Sequence, residues 1–244
     1  MNISRKVAST IDYSLLWQNI SEDSIQKRCK EALDYGFFCI ACLPVHIASV
    51  KREVKNNMNI TAAIGFPLGL NTTNTKIYES LEAIDNGANE IDVVMNISWF
   101  KDGFYQAVLN ELKEITTKVK DKKPDCIVKV IIEAPHLKKD EELQKACELV
   151  IESGADYVKT ATGFAVGYDK TGTLDYEDEE VSPLGNTGVE VIKKMYNMVG
   201  DRIKIKPSGN LTNLEECLYC IENFGIDRIG NDYVPQWIDA LQNK

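Results

Sequence analysis

Short apolar runs in this chain carry acids and lysines at every second position. In Glu90-Ile91-Asp92-Val93-Val94-Met95-Asn96 the apolar set is Ile91, Val93 and Met95, so a strand here turns Glu90, Asp92 and Asn96 to its other face. By the same alternation Arg202-Ile203-Lys204-Ile205-Lys206 groups Arg202, Lys204 and Lys206, while Val128-Lys129-Val130-Ile131-Ile132-Glu133 groups Lys129 with Ile131 and Glu133. Tyr157-Val158-Lys159 ends on a lysine. Charges buried on such a face must pair or shift their pKa. Asp92 is expected to neutralise one lysine only, which leaves another to tolerate a cationic neighbour; a like charge and desolvation both disfavour the ammonium form. An ordinary lysine, with a pKa of about 10.4, offers about one free amine in a few thousand at pH 7. A depressed one is a nucleophile that condenses with a carbonyl to a Schiff base, an electron sink for breaking or forming a carbon–carbon bond. The plainer alternative is an inert ion-pair network bracing the same strands.

These side chains converge only if their strands lie side by side. Strand-like runs are expected near residues 9–12, 38–42, 59–65, 90–96, 126–133, 156–159, 202–206 and 227–230, alternating with helices near 22–35, 45–56, 73–86, 105–118, 140–153, 188–198, 213–223 and 234–241. Eight β/α units in 244 residues match a TIM (β/α)8 barrel of the α/β class, whose active sites sit at the C-terminal ends of the strands. Polar caps with acids behind them (Ser21-Glu22-Asp23, Thr212-Asn213-Leu214-Glu215) open helices, and Gly36, Gly87, Gly154 and Gly225 stand where helices should stop. Asn86-Gly87-Ala88, Ser153-Gly154-Ala155 and Phe224-Gly225-Ile226 form a weak repeat of helix-to-strand passages. A doubly wound sheet is the alternative, but no G-x-G-x-x-G follows the first strand. No linker divides the chain, so residues 1–244 read as a single domain with a long acidic loop over about 165–186.

Composition narrows the function. Lys+Arg 28 against Asp+Glu 37 gives a net charge of −9, unsuited to neutralising a phosphate backbone, so nucleic acid is not an expected partner. No apolar run reaches membrane-spanning length and no signal-peptide core follows Met1, which points to a cytoplasmic protein. Seven cysteines scattered through apolar segments suit reduced thiols. Of the two C-x-x-C pairs, Cys39 and Cys42 fall on a strand, where i and i+3 face opposite sides, and Cys217 and Cys220 fall on an amphipathic helix; with only His46 and His136 beside them, no metal site is expected.

Several motifs in order resemble the deoxyribose-phosphate aldolases, class I Schiff-base aldolases. They are Ile11-Asp12-Tyr13-Ser14-Leu15-Leu16, Ile64-Gly65-Phe66-Pro67-Leu68-Gly69, Glu90-Ile91-Asp92-Val93-Val94, Lys129-Val130-Ile131-Ile132-Glu133, Val158-Lys159-Thr160-Ala161-Thr162-Gly163-Phe164, Lys206-Pro207-Ser208-Gly209 and Arg228-Ile229-Gly230. The resemblance implies a TIM barrel that cleaves 2-deoxyribose 5-phosphate to acetaldehyde and glyceraldehyde 3-phosphate without metal or organic cofactor. It implies that Lys159 is the Schiff-base lysine, Lys206 the lysine that perturbs it and helps move protons, and Asp92 the acid of the proton relay. Asp12, Lys129, Thr162, Gly163, Ser208, Gly209, Asn210, Gly230, Asn231 and Asp232 then form the supporting and substrate-binding set. The expected partner is a small sugar or sugar phosphate, and relatives in this family are often homo-oligomers.

The departures concentrate at the distal end of the pocket. The family usually carries a second glycine where Asn210 stands and a small hydroxyl-rich turn where this chain has Gly230-Asn231-Asp232-Tyr233, and these loops hold the substrate phosphate there. Asp232 puts a carboxylate in that place, unless it serves only to cap the last helix. The run Asp175-Tyr176-Glu177-Asp178-Glu179-Glu180 lies in a loop longer than the family's, and reads either as a lid or as a solvated excursion. Ala41, Leu43 and Ala161 replace polar family residues. Competing readings are therefore an aldolase for a different, unphosphorylated or amino-bearing sugar, a barrel whose lysines polarise a carbonyl without covalent attachment, and a non-catalytic carbohydrate-binding or regulatory barrel.

Overall fold

In the computed structural model the described residues are 3–137, 139–164, 167–168, 174–175, 188–209 and 211–242. After α1 (Ile3–Ala8) the chain runs β1 (Ile11–Leu15), α2 (Glu22–Tyr35), β2 (Cys39–Cys42), α3 (Ile47–Val54), β3 (Asn59–Ile64), α4 (Thr73–Asp85) and β4 (Glu90–Val94). It continues through α5 (Ile97–Lys101), α6 (Tyr105–Lys122), β5 (Ile127–Ile131), α7 (Asp140–Glu152) and β6 (Tyr157–Lys159). A small pair, β7 (Gly167–Tyr168) and β8 (Leu174–Asp175), precedes α8 (Gly188–Val199), β9 (Lys204–Lys206), α9 (Leu214–Phe224), β10 (Ile229–Asn231) and α10 (Val234–Gln242).

Eight strands form one sheet in the order β10-β1-β2-β3-β4-β5-β6-β9. Every pairing in it is parallel, and the bridge between Ser208 and Gly230 brings the end of β9 back to β10. This is the TIM barrel, and its register does the positioning. Asp92 lies opposite Lys129, and Lys159 opposite Lys206. Neighbours in a parallel register share a face, so all four side chains enter the same interior. The intervening residues Ile91, Val93, Val128, Val130, Val158 and Ile205 join the apolar layer between strands and helices.

Local chemistry sets the element ends. Ser21 accepts from Ser24 N at 3.2 Å and Asn213 from Glu216 N at 2.9 Å, each capping its helix. Gly36, Gly87, Gly154 and Gly225 all have positive φ just past a helix, as their placement in the sequence predicts. Cys39 meets Thr61 inside the barrel at 3.0 Å whereas Cys42 lies in the apolar layer, so the pair does face opposite sides, and all seven cysteines are free and buried. Among the described residues no helix is long and apolar enough to cross a membrane.

The expectations fail at strand ends. The first strand begins at Ile11, because Ser9 N and Thr10 N are bonded to carbonyls of α1, a six-residue helix too short to show periodicity. The fourth stops at Val94, and Asn96 instead caps α5 by accepting from Trp99 N at 3.0 Å. Of the basic trio only Lys206 enters the barrel: Arg202 lies in a 3-10 turn bonded to Glu148, and Lys204 is mostly exposed against Asp227. Both precede the enclosed part of the strand, at the floor of the barrel, where water is cheaper for a charge than protein. Of the acidic loop, only β7 and β8 belong to the described residues, where they pair antiparallel; the run 176–180 and Asn210 lie outside them.

Two glycines separate conformational need from space. Gly36 and Gly69 share a φ of 69°, but a Cβ at Gly36 meets nothing within 4 Å, whereas one at Gly69 would overlap the Met95 carbonyl and Val94 side chain just beyond the Asp92 strand. Gly36→Ala is expected to cost about 1–2 kcal/mol, the left-handed penalty alone, and Gly69→Ala about 2–4 kcal/mol. Urea unfolding of the two variants checks the order; equal losses would contradict it.

Candidate active site

One carboxylate organises the interior. Asp92 Oδ2 accepts from both Lys159 Nζ and Lys206 Nζ at 2.8 Å, and Oδ1 accepts from Lys129 Nζ at 2.9 Å. The expectation that Asp92 serves a single lysine is thus corrected: its two oxygens hold three ammonium groups, because β4, β5, β6 and β9 are consecutive around the barrel. Lys206 also donates a short bond to Asp12 Oδ2, and Lys129 Nζ lies 2.5 Å from Glu90 Oε2 and 3.9 Å from Asp12 Oδ2. Arg228 completes the set, 3.5 Å from Glu90 and 3.8 Å from Asp12. Among the described residues, four cationic side chains thus lie within 4.0 Å of three carboxylates in a buried volume.

The surplus positive charge falls on Lys159. Burial, the largest influence, disfavours its ammonium; Asp92 opposes this, and the charges of Lys206 and Lys129 add to it, bringing the pKa down to about 8. Lys206 and Lys129 experience the same burial but are raised, the former by Asp12 and Asp92, the latter by Asp92, Glu90 and Asp12. Burial would raise Asp92, but Lys129, Lys159 and Lys206 together hold it well below the usual carboxylate range. Asp92 is thus an anion and acceptor in the resting site, and the protons of the relay reside on the ammonium groups bonded to it.

Above this network opens a cleft of about 640 Å³ at the C-terminal ends of β1, β6, β9 and β10. Of the predicted substrate-binding residues, Thr162, Gly163, Ser208, Gly209, Gly230, Asn231 and Asp232 line it. Asp12 and Lys129 do not; both are fully buried below it and engaged in ion pairs with Lys206 and Asp92. Lys159 is 2 % exposed and does not itself line the cleft, but it lies three residues before Thr162, which does. Gly230 is required there: a Cβ would overlap Ser208 Oγ and approach Lys206 Cε at 3.5 Å.

The segment after Lys159 is fastened by a residue the sequence did not single out as functional. Glu133, at the end of β5, adopts φ of 48°, unusual for a side chain of its size. Its carboxylate accepts from Thr162 N at 3.0 Å and Thr162 Oγ1 at 2.6 Å, and Thr162 Oγ1 accepts from Phe164 N at 2.9 Å. Burial raises the Glu133 pKa. Phe164 then meets Phe66 edge-on with ring centroids 5.3 Å apart.

At the far side of the cleft, Asn231 rather than Asp232 meets the backbone ahead of α10: Tyr233 N donates to Asn231 Oδ1 at 2.7 Å. Asp232 instead lies between the cleft and a smaller pocket of about 290 Å³ that includes Lys27 and Arg28. Burial raises its pKa, while Arg28, stacked 4.6 Å over Trp17, lowers it. Asp12, Cys39 and Glu90 bring donor atoms within 4.8 Å of one another, the one such group among the described residues, but the Lys129 ammonium already sits against Glu90.

Comparison with known proteins agrees with this geometry. Residues 7–209 match the family model described as DeoC/LacD family aldolase. A deoxyribose-phosphate aldolase of Carboxydothermus hydrogenoformans is 37% identical over 228 residues, covering 93% of this chain and 91% of the relative. One from Caldanaerobacter subterraneus is 39% identical over 225 residues, covering 92% and 88%. Among solved structures, the aldolase QR15 superposes with a TM-score of 0.81 at 33% identity, covering 97% of this chain and 96% of that one. The tetrameric deoxyribose phosphate aldolase of Aeropyrum pernix gives 0.81 at 26% identity, covering 98% and 92%. The chain belongs to the DeoC/LacD family of aldolases.

Proposed function

We propose that this barrel is a class I aldolase that cleaves 2-deoxyribose 5-phosphate through a Schiff base on Lys159. The observation that carries the reading is the shared acceptor: Lys159 and Lys206 both donate to Asp92 Oδ2 at 2.8 Å, which keeps a second cation beside the reactive amine. With a pKa of about 8, about one Lys159 side chain in ten is a free amine at pH 7. That amine adds to the aldehyde carbon of the open-chain sugar, and loss of water from the carbinolamine gives an iminium. Removal of the 3-hydroxyl proton breaks the bond between carbons 2 and 3, releasing glyceraldehyde 3-phosphate and leaving an enamine. Protonation of carbon 2 and hydrolysis release acetaldehyde and restore the amine. Lys206 is the proton carrier beside the reacting carbons, and Asp92 orients both amines and stabilises their charged forms.

Asp232 favours a second version of the substrate. A carboxylate on the cleft wall opposes a phosphate: two like unit charges at about 4 Å repel by roughly 4 kcal/mol at an effective dielectric of about 20. In this version the same Schiff-base chemistry acts on an unphosphorylated or amino-bearing sugar.

Borohydride reduction with acetaldehyde, followed by peptide mass mapping, should place an ethyl adduct on Lys159; turnover without an adduct, or an adduct elsewhere, contradicts the mechanism, and neither turnover nor adduct returns the chain to a binding role. Because the free amine is the reactive form, kcat/KM should rise about tenfold per pH unit at lower pH and level off above about pH 8; a limb near the ordinary lysine value contradicts the assignment. The substrate versions separate on Asp232→Asn. If Asp232 repels phosphate, the variant gains roughly tenfold or more on the phosphorylated sugar with little change on free deoxyribose. Efficient cleavage of the phosphorylated sugar by the unaltered protein, with equal changes on both sugars in the variant, removes the second version.

A further inference from the structure

Two chains of ion pairs descend from Asp92 to the floor of the barrel, and both end on one residue. The first runs from Asp92 Oδ1 to Lys129 at 2.9 Å, to Glu90 Oε2 at 2.5 Å, and from Glu90 Oε1 to Arg228 Nη2 at 3.5 Å. The second runs from Asp92 Oδ2 to Lys206 at 2.8 Å, to Asp12 Oδ2, and from Asp12 Oδ1 to Arg228 Nε at 3.8 Å. Asp12 Oδ1 and Arg228 Nε are buried without a hydrogen-bond partner, so that last contact is electrostatic rather than a hydrogen bond. The guanidinium carbon is held 3.3 Å over the Phe38 ring, and the side chain is only 12% exposed. Desolvation of this kind is tolerated where a cation is matched, here by Glu90 and Asp12.

We infer that Arg228 is a positioning residue for the aldol reaction: by occupying Glu90 and Asp12 from below, it leaves the three lysines fewer carboxylates than they need, and so keeps Lys159 available as an amine. The inference rests on Lys159 being the Schiff-base lysine. Arg228 is a better holder of this post than a lysine, since it stays charged throughout the working pH range and cannot itself surrender the proton. Without it, the three carboxylates would match three lysines one to one and Lys159 would remain an ammonium. With it, one lysine is supernumerary, and the least compensated is Lys159, whose one carboxylate acceptor among the described residues is shared with Lys206.

The neighbouring charges define what can respond. Arg228 faces Glu90 on β4, Asp12 on β1, Tyr157 on β6 and the adjoining Asp227, which is itself engaged by Lys204 and Tyr157. Lys159 faces Asp92 on β4, Lys206 on β9, Lys129 on β5 and, beyond β5, Glu133. Cys39 adjoins Asp12, Glu90 and Lys129, but burial raises its thiol well above the usual range and keeps it neutral. Arg228 touches neither Lys159 nor the cleft, so its influence must pass through Glu90, Asp12 and the two lysines they hold.

The test is the pH dependence of borohydride trapping of acetaldehyde on Lys159, measured in four proteins: Arg228→Gln, Arg228→Lys, Glu90→Gln and the double variant Arg228→Gln/Glu90→Gln. Arg228→Gln should move the midpoint of adduct formation up by about one pH unit, with Arg228→Lys close to the unaltered protein. Glu90→Gln should move it down, and the double variant, which removes one charge of each sign, should bring it back. A structural role alone would lower yield and stability without this alternation of sign. If Arg228→Gln does not fold, the downward shift of Glu90→Gln and its reversal in the double variant still decide the matter. An unmoved midpoint in folded variants, or shifts of one sign in both singles, overturns the inference while leaving the Schiff base intact. No adduct on Lys159 in the unaltered protein at any pH removes both.

Discussion

The site depends on a shortage of negative charge. Asp92, sealed in the barrel, accepts from three lysines, and one of its oxygens serves both Lys159 and Lys206. In water such a contest would be settled by solvent, but here the competitors are buried and each ammonium must find its compensation among Asp12, Glu90 and Asp92. Lys129 and Lys206 each touch more than one carboxylate, and among the described residues Lys159 is ion-paired with Asp92 alone. Lys159, the lysine with least support, ends β6 just before the loop that brings Thr162 into the cleft lining.

The barrel makes this arrangement affordable. A parallel register puts Asp92 beside Lys129 and Lys159 beside Lys206 on the interior face, so Lys129 pairs with the adjacent strand while Lys159 and Lys206 reach across the barrel interior to Asp92. The outward residues of those strands bury their apolar surface against the helices and contribute stability that a polar interior cannot. At the rim, Glu133 holds Thr162 in place from a left-handed backbone. Beyond the rim the design changes character. The ion pairs gather on Asp92 and its lysines, while Trp17, Asp232 and Tyr233 line the cleft, so under the proposed function carbonyl chemistry and substrate choice rest on separate residues.

Much of this was legible in the sequence, for a definite reason. Alternation of Ile91, Val93 and Met95 with Glu90 and Asp92 can only mean a strand with one apolar face, and the same rule placed Lys129, Lys159 and Lys206 in the interior. It failed where a strand ends. Asn96 and Lys204 have the right parity but lie outside the enclosed stretch, the first past its end and the second before its start, and parity carries no information on depth. Arg228 had the signal in full, two residues before Gly230 with Ile229 between them, yet a single charge at a strand edge looks like ordinary surface. The sharing of Asp92 among three lysines could not be read from any one segment, because it is a property of strand order around the ring. Glu133 was visible as a group facing inward; that it would fasten Thr162 depends on a backbone angle no pattern reports.

The most direct test is to titrate the amine itself. With lysine labelled with 13C at the ε carbon, and the Lys159 resonance assigned by its loss in Lys159→Met, NMR follows the protonation of each buried lysine separately. Lys159 should deprotonate first, with a midpoint near pH 8, while Lys206 stays protonated above the ordinary lysine value and Lys129 well above it. A Lys159 midpoint at or above about 10.4, or Lys206 losing its proton first, would contradict the account.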